Sequence, residues 1–170
     1  MSEPLAYLIT WTTYGTWLPG DGRGWVEGGT PGIQAPDARR REEARGRMTE
    51  PPMTLDAAQR EVVRATVEAH CRIRGWRLHA VNPRSNDVHV VVTAAVAPEV
   101  VMNQLKAWCS RRLNERRGAP RQHWWTYHGS TKWIMTRTIF ATRLTTSWSY
   151  SNQPRAPARR RRPLAGARGW

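Results

Sequence analysis

The sequence predicts an α+β fold, and three observations carry that expectation. Residues 87–93 (Asp-Val-His-Val-Val-Val-Thr) place four valines in seven positions, the composition of a buried strand. Residues 55–74 and 98–117 repeat apolar side chains at helical spacing and stop at Gly75 and Gly118. Short β-branched or aromatic runs stand on either side of both helical stretches.

Taken in order, Ala6 to Thr13 is β-branched and aromatic and reads as the first strand. Tyr14 to Trp25 is punctuated by Gly15, Pro19, Gly20, Gly22 and Gly24, the pattern of an irregular loop. Glu27 to Pro52 holds many Gly, Pro and Arg residues and few large apolar ones, so a long, partly mobile insertion is expected, with a short helix near Asp37 to Arg45. Thr54 is placed to cap a helix from Leu55 to Arg74, with Val62, Val63, Thr66, Ala69, His70 and Ile73 at helical spacing. Trp76 to Val81 reads as a second strand, residues 83–86 as a turn, and 87–93 as the strand that pairs back. Pro98 opens a helix to Arg117. One of its faces is assigned Val101, Leu105, Trp108 and Leu113, the other Asn103, Lys106, Ser110, Asn114 and Arg117. A short fourth strand is expected within 127–134. This order predicts a ferredoxin-like antiparallel sheet with helices on one face, the first strand and 87–93 being central neighbours.

The chain of 170 residues carries a net charge of +14. Residues 135–170 hold eight Arg and no acid, and the remainder has 19 basic against 13 acidic residues, so the body is only about +6. The expected division is a domain over 1–134 with a loop insertion at 19–53, then a largely disordered basic tail at 135–170. No apolar run is long enough to span a bilayer, and Met1 to Thr12 lacks the basic start of a signal peptide. Cys71 and Cys109 fall in helical patterns and read as buried thiols of a reducing compartment.

The chemistry centres on Asp87 and His89. Alternation along a strand puts both on one face, beside a turn, where an acid and an imidazole can hold a divalent ion. Hard oxygen suits Mg²⁺ or Mn²⁺, and imidazole tolerates Mn²⁺. The plainer reading is an Asp that ends a turn and a His on a half-exposed strand. Lys106, Arg111, Arg112, Arg116 and Arg117 share one helix and suit phosphate contacts, or else form a solvated face. Trp17, Trp124, Trp125 and Trp133 are candidates to stack on unpaired bases, although most of the ten Trp are expected in the core. His123 and His128 read as exposed, and His70 and His79 as packing or strand residues. No Gly-rich phosphate cradle, Cys-x-x-Cys pair or Ser/His/Asp arrangement is present.

Four segments together resemble the single-tyrosine HUH transposases, in particular the REP-associated tyrosine transposases. They are Tyr-Gly-Thr-Trp-Leu-Pro-Gly-Asp (14–21), Ser-Asn-Asp-Val-His-Val-Val-Val (85–92), Met-Asn-Gln-Leu-Lys-Ala-Trp (102–108) and His-Gly-Ser-Thr-Lys-Trp (128–133), and the resemblance covers residues 5–134. It implies a bacterial, cytoplasmic, nucleoid-associated DNA transposase that cuts and rejoins single-stranded DNA near a hairpin. It also implies Mg²⁺ or Mn²⁺ on two strand residues, a nucleophilic Tyr on a last helix, and no membrane partner; a homodimer is allowed.

The chain departs from that pattern twice. Asp87-Val88-His89 stands where the family has His-apolar-His, and no Tyr-bearing helix follows Ile134. A one-base change of frame near 134–135 accounts for the second departure, because GC-rich codons for Thr142 to Ser149 can be written so that the shifted frame reads Asp-Ala-Ile-Asp-Tyr-Val-Leu-Glu. It also accounts for the Arg/Pro/Ala/Gly composition of the tail. Tyr150 is the only tyrosine left there to act as the nucleophile, in a segment without helical periodicity. The expectations are therefore metal at Asp87 and His89, DNA at Lys106, Arg111, Arg112, Lys132 and Trp133, and an enzyme impaired in catalysis or a DNA-binding remnant or repressor.

Overall fold

The computed structural model describes residues 5–26 and 32–135. Along the chain run β1 (Ala6–Thr12), α1 (Ala38–Gly46), α2 (Ala57–Arg74), β2 (Arg77–Pro83), β3 (Asp87–Thr93), α3 (Pro98–Glu115) and β4 (Ser130–Ile134). The sheet order is β2-β3-β1-β4, with every neighbouring pair antiparallel. This is the expected ferredoxin-like order, with β1 and β3 in the middle. The expected tail, with Tyr150, lies outside the described residues except for Met135.

Local chemistry sets the helix ends. Asp56 accepts from Gln59 N–H at 2.8 Å and the Gln59 side chain accepts from Asp56 N–H at 2.9 Å, a reciprocal capping box. Two bonds outweigh the single hydroxyl cap expected of Thr54, so α2 starts at Ala57. Gly75 ends it at φ +67°, a left-handed conformation that a side chain would strain. α1 follows an Asp37 cap and buries none of its residues.

Strand alternation sorts the sheet into two faces. Tyr7, Ile9 and Trp11 of β1 and Val88, Val90 and Val92 of β3 meet Val63 and Val67 of α2 and Val101, Leu105, Cys109 and Leu113 of α3 in the main core. On the reverse face only Ala6, Leu8, Val91 and Ile134 form a small cluster, with Ala80 against it.

Other assignments change as well. The buried stripe of α3 is Val101, Met102, Leu105, Lys106, Cys109 and Leu113, so Lys106 faces inward and Trp108 is 37% exposed. β4 begins at Ser130, three residues after the expected start, because Trp124 and Trp125 are buried in the core ahead of it. Among the described residues no helix is long and apolar enough to cross a membrane.

Candidate functional site

The reverse face of the sheet is polar around the centre of β3. Register places Asp87 opposite Thr12, His89 opposite Thr10, and Asn82 on the other side of His89. Side chains directly opposite in such pairs share a face, so Thr10, Thr12, Asn82, Asp87 and His89 lie together. Ser130, opposite Thr10, and Lys132, opposite Leu8, extend this face across β4.

Asp87 and His89 are half-buried and close together. Asp87 Oδ1 and His89 Nε2 lie 3.6 Å apart, and both atoms are shielded from solvent with no hydrogen-bond partner. That separation is too long for a hydrogen bond. A single divalent cation ~2.1 Å from each donor fits between them. His89 Nδ1 is 3.2 Å from Thr10 Oγ1, a bond that fixes the ring and, when Nδ1 carries the proton, leaves the Nε2 lone pair toward Asp87. Arg84 Nε stands 3.5 Å from the same Asp87 oxygen and competes for its charge. Among the described residues no cluster of three or more His, Cys, Asp or Glu is placed to hold a metal. The pair therefore supplies two positions, which suits a hard ion that keeps water and substrate oxygens in the rest.

The glycine-rich loop after β1 is anchored at this end of the sheet. Thr13 N–H donates to Asn86 O at 2.9 Å, and the Thr13 and Thr16 hydroxyls donate to the same carbonyl at 3.3 and 3.5 Å. Beyond Thr16, Asp21 and Arg23 form a bidentate pair at 2.7 and 3.0 Å. The Arg23 side chain beside it brings the Asp21 carboxyl down to about 2, against the opposing effect of burial. Part of the insertion is tied down as well: Glu50 accepts from the N–H groups of Gln122 and His123 at 3.1 and 2.8 Å, and Arg121 donates to Pro51 O.

The other sequence-predicted residues do not join the pair as a group. Lys132 is exposed on the same face. Trp133, opposite Tyr7, lies on the helix side, 58% exposed, edge-on to the Tyr7 ring at 5.7 Å. Arg111 and Arg112 ride on α3, across the sheet from Asp87. Arg111 covers the Trp108 ring at 4.6 Å, Arg112 pairs with Glu115 at 2.9 Å, and Trp108 and Arg112 help line a groove of about 220 Å³ between α2 and α3.

Lys106 corrects the expectation of a phosphate contact. Its ammonium is buried and donates to the carbonyls of Thr126, Tyr127 and His128 at 2.5, 3.1 and 3.4 Å. Three donors meet three acceptors, which leaves none for phosphate. Burial pulls its pKa down to about 8, while the carbonyls favour the charged form that remains at neutral pH. Trp124 and Trp125 also turn inward, donating to Asn114 Oδ1 and to Lys106 O at 2.8 and 3.0 Å.

Sequence reasoning missed Thr10 and Arg84. Thr10 was legible, since strand pairing sets it against His89. Arg84 carried no signal, because a turn residue's reach depends on the hairpin's shape.

No family model matches the chain, and no curated protein matches it. Among solved structures the chain is similar to a candidate transposase from Deinococcus radiodurans R1, at 13% identity and a TM-score of 0.45, over 88% of this chain and 92% of that one.

Proposed function

We propose that this domain handles single-stranded DNA in the manner of the HUH transposases, with its working surface on the open face of the sheet. The observation that carries the reading is the pair of shielded ligand atoms without hydrogen bonds, Asp87 Oδ1 and His89 Nε2, 3.6 Å apart on a central strand. Asp87 and His89 would hold Mg²⁺ or Mn²⁺, which supplies charge stabilisation to a phosphodiester oxygen. Thr10 holds the His89 ring in place. Lys132, exposed on the same face, offers an ammonium to a neighbouring phosphate. Arg84 neutralises Asp87 in the absence of ligand and turns to the DNA backbone when the strand arrives. A bacterial cytoplasmic setting and a hairpin substrate belong to the same proposal.

A second reading, a DNA-binding remnant or repressor without catalysis, is favoured by the placement of the described tyrosines. Tyr7 is buried on the helix side. Tyr14 is stacked on His123 at 5.1 Å, and its hydroxyl accepts from Thr49 N–H. Tyr127 is 88% exposed in the segment ahead of β4. Tyr150, the remaining candidate nucleophile, lies outside the described residues. Incubation of the full chain with hairpin-bearing single-stranded DNA and Mn²⁺ separates the two readings. A nicked strand with a covalent protein adduct identifies the enzyme, and a retarded band without cleavage identifies the binder. Absence of both removes the proposal.

A further inference from the structure

We infer that Trp17, backed by Arg23, is a stacking platform for one unpaired base of the strand that lies on the open face. The inference rests on the single-stranded DNA reading above and adds a contact which that reading does not require. Trp17 is an exposed indole with an anchored edge. Its Nε1–H donates to Gly24 O at 2.8 Å, which fixes the ring's edge. The Arg23 guanidinium carbon lies 5.3 Å from the ring centroid and covers one side. Arg23 is itself held by both Asp21 oxygens and by Thr16 O at 2.8 Å. The loop closes through Gly20 and Gly24 at φ +83° and +84°, conformations that favour glycine.

Trp17 still keeps 42% of its surface exposed. A flat aromatic surface open to solvent and anchored at its edge suits the π-face of a nucleobase, with Arg23, neutralised by Asp21, backing the ring rather than contacting phosphate. Its location supports this chemistry. Thr16, the preceding residue, and Thr13 both bond Asn86 O, and the next residue after Asn86 is Asp87. These bonds tie the start of the loop that carries Trp17 to the turn leading into Asp87. The buried Trp124 and Trp125 offer no such surface.

The test uses the full chain and a DNA hairpin with a single-stranded extension, in which one abasic site is moved along the extension a nucleotide at a time. Binding is read by fluorescence anisotropy. One position is expected to weaken the wild type about 10-fold, within the range typical of a single base–aromatic stack. Trp17→Ala is expected to bind the intact hairpin about 10-fold more weakly and to lose sensitivity at that position, while Trp17→Phe keeps it. The positional penalty is expected to persist at high salt, because stacking releases no counterions. Wild-type binding with Trp17→Ala equally tight, or with the same abasic profile in Trp17→Ala, overturns the platform and leaves the DNA reading standing. If Trp17→Ala proves unfolded, the abasic profiles of wild type and Trp17→Phe decide, and a flat wild-type profile overturns the platform. No binding of the hairpin by wild type removes the DNA reading and this inference with it.

Discussion

The two faces of the sheet solve opposite problems. On the helix side Val88, Val90 and Val92 are buried with Leu105, Cys109 and Leu113, and the buried Lys106 has an acceptor for each of its three protons. On the open side Asp87 and His89 sit one residue away on the same strand, with a shielded oxygen and nitrogen that have no hydrogen-bond partner. Burying polar atoms without hydrogen bonds costs stability. Among the described residues the core tolerates one such atom, Trp11 Nε1, alone, whereas the open face sets two of them 3.6 Å apart, where they can share an ion. One face is built to hold the chain together. The other keeps bonding capacity in reserve, as a binding surface does.

That contrast predicts how substitutions divide. The largest effect is expected for Leu105→Ala, which empties a fully buried position: about 3 kcal/mol of stability is lost by denaturant titration, while Mn²⁺ affinity in the folded fraction is unchanged. Asp87→Ala is expected to do the reverse. It lowers Mn²⁺ affinity at least ~100-fold by calorimetry, beyond what a change in a supporting residue usually costs, and shifts stability by less than ~1 kcal/mol. A large stability loss without a metal effect would make Asp87 a turn residue.

Lys106→Met comes next, at about 2 kcal/mol, because three buried carbonyls lose their donor. It also changes the pH dependence. Burial brings the folded-state pKa of Lys106 to about 8, below the ordinary lysine value of 10.5 that applies in the unfolded chain. Folding therefore releases a proton between those values, and stability rises with pH across that window by ~1–2 kcal/mol. Below about pH 8 both states are protonated and the cost of burying the charge is present in full. The variant is expected to lack this rise when urea midpoints are compared at pH 8 and pH 10. The smallest effect is expected for Arg84→Ala, which removes the cation competing for Asp87: Mn²⁺ binds ~3-fold more tightly, a change that only a half-exposed ion pair would give. Weaker binding would mean that Arg84 supports the site instead.

Much of the fold was legible because its signals are local. The valines of 87–93 give β3 its observed ends, and Gly75 gives the end of α2. The pairing of Asp87 and His89 on one face followed from alternation alone. What could not be read was phase and depth. Lys106 sits three and four residues from Cys109 and Met102, squarely in the buried stripe, but a lysine there makes sense only once the carbonyls of 126–128 are known to approach from a distant segment. Trp108 looked apolar enough for the core, and Cys109 took that place. Arg111, Arg112 and Trp133 looked like partners of the metal pair in sequence, and only the sheet's two-sidedness separates them from it.

The grip of Lys106 on three successive carbonyls has a consequence for the strand that follows. Among the described residues β4 is an edge strand with a single hydrogen-bonded neighbour, and such strands can slide. A slip of one residue would exchange Lys132 and Trp133, sending the indole to the open face and the ammonium beneath the helices. By fastening the chain two residues before Ser130, a side chain from the opposite layer acts as a stop that sets which way β4 faces.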